Sequence, residues 1–191
     1  MSNVSSNTYT YTRVGAILHE IGMVTEEKLR SVLAEAADYA DEEIDQYEAA
    51  GALEEFGVAV SVHADDIDSI YDDYTDLMES AVEAAGGRVT ITGVRLVEGE
   101  GDLEGGRMDT LMFERNGIPM SIVADHYAED YYDPAAACEV IAVTAHEDDP
   151  RTWRELDFER EPYRGYDNIM VLVTPEQAQA LRERLGFRFH E

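Results

Sequence analysis

At 191 residues, 45% hydrophobic and 9% aromatic, the chain has the length and apolar content for one good-sized core. Forty-two acidic residues against 14 basic ones leave a formal net charge of −28, which argues against direct binding to nucleic acid or an anionic membrane surface and favours a basic partner. Cys138 is the only cysteine, so a disulfide within the chain and a cysteine-rich zinc site are excluded; without an apolar run of about 18 residues, a cytoplasmic protein is the expectation.

Residues 1–12 are polar at the start and are expected to be disordered or loosely attached, with a single α+β domain over 13–191. Val14, Ile17, Leu18 and Ile21 recur at helical spacing and predict a first helix that ends at Gly22. Thr25 reads as the N-cap of a second helix, with Glu26 and Glu27 where the dipole favours acids. Its apolar face, from Leu29 through Val32, Ala36 and Ala40 to Ile44 and Tyr47, predicts that it continues to Ala50, with Gly51 as the stop. The outer face of that helix carries Glu35, Asp38, Glu42 and Asp45. Together the two helices form an N-terminal hairpin over 13–51.

Val58, Val60 and Val62 alternate as in a strand. Residues 64–87 then show two stripes at helical period. Ile67, Ile70, Tyr74, Leu77, Met78 and Ala81 form the apolar one, and Asp65, Asp68, Asp72, Asp76, Glu79 and Glu83 form the acidic one. A continuous helix would extend this acidic row over about five turns, roughly 27 Å. No basic residue lies between Asp65 and Glu83 to pair with it.

Arg88 to Val97 predicts a strand in which the apolar parity switches at Gly93, the mark of a bulge or bend. Residues 99–106 form a glycine and acid loop without the lysine that a phosphate cradle needs. Asn116-Gly117 between two alternating runs is a hairpin turn, and Pro119 favours an edge or entry position in the second strand. Pro134 opens a helix through Ala137; Cys138 to Ala145 is apolar throughout, so its periodicity fits helix and buried strand alike. Strands follow at Trp153 to Glu159 and Ile169 to Val173. Thr174-Pro175-Glu176 starts a last helix that ends at Gly186, and Phe187 to Phe189 adds a short edge strand. The expected fold is thus α+β, a mostly antiparallel sheet of five or six strands with helices on one face and the N-terminal hairpin packed against it.

Catalytic signals are sparse. Asp125 and His126 with Glu129, Asp130 and His146, or His63 with Asp65 and Asp66, supply metal-ligating residue types, but at no recognised ligand spacing. Cys138 lies in an apolar run that favours an inert thiol, and Ser121 lacks a nucleophile-elbow turn. No catalytic residue, metal ligand or cofactor is therefore assigned. Tyr127, Tyr131 and Tyr132, with Tyr163 and Tyr166 around Arg164, fit core and interface roles equally.

The reading that follows is a non-enzymatic acidic inhibitor of a basic protein, most plausibly an immunity protein for a bacterial toxin. Its contact stripe would be Asp65, Asp68, Asp72, Asp76, Glu79 and Glu83, with Glu35, Asp38, Glu42 and Asp45 as secondary contacts. A DNA-mimic regulator of a DNA-binding protein would present the same face. A third possibility is a small enzyme or ligand-binding domain whose acidity reflects a salt-rich cytoplasm or a GC-rich genome. Residues 1–86 carry net −17 and residues 87–191 net −11, so the acids lean toward the first half.

Overall fold

The computed structural model describes residues 8–64, 67–158 and 167–190. In chain order these form α1 (Tyr11–Glu20), α2 (Glu26–Glu35), α3 (Gln46–Glu55), β1 (Ala59–Val62), α4 (Asp73–Ala84), β2 (Ile91–Val97), β3 (Arg107–Arg115), β4 (Ile118–His126), α5 (Pro134–Ala142), β5 (Thr152–Asp157), β6 (Asn168–Val173), α6 (Pro175–Leu185) and β7 (Arg188–Phe189). The α+β class stands, with α1 and α2 as the helical hairpin, and every strand pairing is antiparallel. The strands divide between two sheets, ordered β1-β6-β5-β7 and β2-β3-β4.

Alternation in the larger sheet decides the layers. Val60, Val62, Trp153, Met170 and Leu172 face one way, into a core shared with α4, α5 and the inner face of the smaller sheet. Ala59, Leu156, Ile169, Val171 and Val173 face the other way, into a core built with α1, α2, α3 and α6. Helices therefore cover both faces of this sheet, which is why β1 and β6 are buried at every position.

Local signals act at the residues that carry them. Thr25 and Thr174 accept hydrogen bonds from Lys28 N and Gln177 N as N-caps. Asn116 (φ 51°) and Gly117 (φ 78°) make the tight turn between β3 and β4, since both central residues of such a turn need positive φ. Pro119 lies on β4, an edge strand, and the register of β2 shifts between Thr92 and Arg95 as the parity switch at Gly93 requires. Cys138 to Ala142 belongs to α5, whose N-cap is Asp133.

Three expected boundaries are corrected by tertiary contacts. Tyr9 is buried and donates its hydroxyl to the Leu185 carbonyl, and α1 starts at Tyr11, so residues 9–12 are packed into the domain and not loosely attached. The helix expected from Thr25 to Ala50 is two helices, α2 and α3. Between them Thr12 N bonds to the Ala40 carbonyl and Ile44 N to the Tyr9 carbonyl, and Asp45 with Glu48 forms a capping box that starts α3. Gly51 does not stop α3, which continues to Glu55.

The third correction concerns the acidic helix, which begins at Asp73. Ser69 Oγ accepts from Tyr71 N, the Asp73 carboxylate accepts from Ser69 N, and Ile70 N reaches across to the Glu129 carbonyl. These bonds hold residues 69–72 in a turn ahead of the helix, the usual competition of short polar side chains with helical backbone bonding.

Candidate functional site

The α4 acids supply the most sharply defined surface. Asp76, Glu79 and Glu83 project from its exposed face at spacings of three and four, and Asp72 stands at its N-cap without a capping bond. Asp68 is exposed in the bend before the helix, and Asp65 lies outside the described residues. Among the described residues none of the side chains of Asp68, Asp72, Asp76, Glu79 and Glu83 takes part in a hydrogen bond or ion pair. From Asp72 to Glu83 the row spans about 17 Å at 1.5 Å per residue, shorter than a helix from Asp65 would have made it. Asp73 is set apart from the row because it turns back to Ser69.

Glu79 and Glu83 also line a groove of about 360 Å³ between α4 and β2, with Met78 and Val82 on the helix side and Ile91 and Val94 on the strand side. Apolar floor and carboxylate rim together resemble the anatomy of a protein interface, a desolvated centre inside a polar border.

The secondary acids do not extend this surface. Glu35 ends α2, Asp38 and Glu42 sit in the turns that follow, and Asp45 accepts from Glu48 N as the α3 cap. These segments belong to the layer on the opposite face of the larger sheet from α4. The two acidic groups therefore form two separate surfaces, and within the described residues the acidic row at α4 comprises Asp68, Asp72, Asp76, Glu79 and Glu83.

Beneath the start of α4 lies a polar cluster that spacing in the sequence does not reveal. Asp109, His126 and Tyr74 are each fully buried. His126 Nδ1 lies 2.8 Å from Asp109 Oδ2, and its Nε2 lies 2.8 Å from the Tyr74 hydroxyl. Arg107 grips the same carboxylate through Nε at 2.6 Å and Nη2 at 3.0 Å, while Gly99 N donates to Oδ1. Assigning the imidazole proton to Nδ1 closes the network: Nδ1–H donates to Asp109, Nε2 accepts from Tyr74, and the Tyr74 oxygen accepts from Asp133 N. Arg107 then continues through the Tyr71 hydroxyl to Glu98 at the surface.

Burial works against ionisation of Asp109, but donors from Arg107, Gly99 and His126 outweigh it and hold its pKa below the usual carboxylate range. Burial likewise raises the Tyr74 pKa, so the phenol stays neutral. An aspartate, histidine and tyrosine in line invite comparison with a catalytic relay. Here both ring nitrogens are committed inside the core and the chain ends on a backbone amide, so the cluster ties β3, β4, α4 and the start of α5 together.

The other candidate clusters disperse. Asp125, next to His126, faces solvent; Glu129 and Asp130 are exposed; His146 lies in the loop after α5, 3.9 Å from carboxylates of Glu147 and Asp148. His63 follows β1, while Asp65 and Asp66 fall outside the described residues. Among the described residues no three His, Cys, Asp or Glu side chains gather as a metal site. Cys138 is half-buried, with its thiol pushed up to about 12 by burial, then by Glu155 and Asp133. Of the tyrosines, Tyr132 stacks on Tyr74 in the core at 5.2 Å, Tyr127 and Tyr131 are exposed, and Tyr163 and Tyr166 lie outside the described residues. No described helix is long and apolar enough to cross a membrane. Neither a protein-family model, nor a curated protein, nor a solved structure matches the chain.

Proposed function

We propose that this protein is a non-enzymatic acidic inhibitor that binds a basic protein partner, in the manner of an immunity protein that neutralises a bacterial toxin. The observation that supports it is the row Asp72, Asp76, Glu79 and Glu83, exposed and unpaired on one face of α4 beside an apolar groove. A cationic protein is attracted to such a row over distances set by the Debye length, which raises the encounter rate. The groove floor of Val82, Ile91 and Val94 then supplies the desolvated contact on which lifetime depends.

The test is capture of partners at about 50 mM salt, release at about 500 mM, and stopped-flow association of the identified partner with wild type and with D72N/D76N/E79Q/E83Q. The proposal expects a basic partner and an association rate at least about tenfold slower for the variant at low salt. Equal rates refute the assignment of α4.

A second reading draws on a different observation. The acids of the α2–α3 segment occupy the far side of the larger sheet, so carboxylates coat both outer layers, as solvation in a salt-rich cytoplasm would have them. That reading expects the melting temperature to rise steeply between about 0.1 and about 2 M potassium chloride, with no salt-sensitive partner. A flat profile removes it.

A further inference from the structure

Against the net charge of −28, one cavity carries the opposite sign. Between α6 and the β5–β7 edge lies a pocket of about 460 Å³, lined by Arg154, Arg182, Arg188, Phe189, Ala178 and Asp157 among others. Three of the chain's 13 arginines meet there, with Asp157 as the one acid among the described lining residues. Among the described residues none of the three guanidinium groups makes a hydrogen bond or an ion pair; of the other described arginines, Arg30, Arg107, Arg115, Arg151 and Arg184 hold carboxylates, while Arg13, Arg88 and Arg95 do not. In a chain with three acids for every base, what sets these three apart is that they converge on one cavity and give it a local positive excess among the described residues.

Arg154 and Phe189 lie on the face of the larger sheet that α6 covers, as the register of Leu156 with Phe189 requires, and the Arg154 guanidinium rests 5.2 Å above the Phe189 ring. That stacking orients the planar fork without consuming its donors. Arg182, in the last turn of α6, reaches the same cavity from the helix side, and Arg188 joins at the β7 rim. Pro175, Ala178 and the two phenylalanines give it an apolar wall. A guanidinium fork matches the oxygens of a phosphate bidentately, and the volume is that of a site for a whole small molecule.

We propose that this pocket binds a small phosphate ester of the size of a nucleoside monophosphate, with Arg154 and Arg182 taking the phosphate and the apolar wall taking the body of the ligand. Long-range repulsion from the anionic surface does not forbid this. At about 150 mM salt the screening length is about 8 Å, so contacts inside the pocket dominate the field at the phosphate. The site is separate from α4 and does not depend on the toxin reading.

The test is titration calorimetry of the full chain with AMP, inorganic phosphate and adenosine at about 50 mM salt, repeated on R154Q/R182Q. AMP is expected to bind, inorganic phosphate at least tenfold more weakly, and adenosine without measurable heat. The double variant should retain the wild-type circular dichroism, because Arg182 is exposed, Arg154 is only half-buried and neither has a polar partner among the described residues, and should lose AMP affinity at least tenfold. Absence of AMP binding to wild type overturns the proposal, and so does unchanged affinity in the double variant. Equal affinity for phosphate and AMP overturns the role of the apolar wall.

Discussion

Replacing Tyr74 with phenylalanine isolates the energetic worth of the buried network, because the ring and its packing remain and only one oxygen leaves. That oxygen makes two contacts, to His126 Nε2 at 2.8 Å and from Asp133 N at 3.2 Å. With Nδ1–H held by Asp109, the variant leaves Nε2 as an acceptor in a fully buried site without a donor. An unsatisfied buried polar group costs about 1–3 kcal/mol; Asp133 N, at the partly buried start of α5, adds little. A loss near 2 kcal/mol lowers the melting temperature by roughly 4–8 °C in a chain of this length. Urea denaturation followed by circular dichroism should show the lower midpoint at an unchanged slope, since the exposed surface does not change. Tyr71→Phe is the control: its hydroxyl lies at the surface with Glu98 and Arg107, and its loss should cost under about 1 kcal/mol. A Tyr74→Phe loss below about 0.5 kcal/mol would refute the closed network.

Three further outcomes follow from the same structure. Asp149 has its pKa lowered, chiefly by its bond from Arg151, so the unfolded chain binds more protons there than the folded one. Its contribution is present above pH about 4 and is lost as pH falls through the depressed folded value; Asp149→Asn should flatten that part of an acid-denaturation curve. Gly15→Ala should destabilise by about 1–3 kcal/mol despite alanine's better helix propensity, because its Cβ would meet Leu29 Cδ1 at 2.6 Å and Phe56 Cζ at 2.7 Å; a rise in urea midpoint would contradict this. Cys138 in the native protein should react with Ellman's reagent at pH about 8 at least about a hundredfold more slowly than in urea, and equal rates would show the thiol to be free of its burial penalty.

Elements whose signals lie within a few residues were legible in the sequence. The caps at Thr25 and Thr174, the Asn116-Gly117 turn and the register shift at Gly93 each rest on a capping side chain or on a residue that takes positive φ, acting on backbone nearby. Such interactions hold in any fold that contains the segment. The α3 start was equally readable, because Asp45 and Glu48 have the spacing of a capping box, but the apolar periodicity running past it suggested a longer helix.

Tertiary structure alone decided where the acidic helix begins and which residues keep company. Ile70 N finds its partner on Glu129, 59 residues away in the chain, and that bond helps to hold the segment before Asp73 out of the helix. Asp109, His126 and Tyr74 meet across separations of 17 and 52 residues, so no local pattern could announce them. The same holds for the three arginines on β5, α6 and β7. Composition determined that the surface must be anionic; strand alternation left open which layer each helix joins. Packing on the two faces of the larger sheet then parted the acids of α4 from those of α2 and α3, because each helix buries its apolar stripe in the core that completes it.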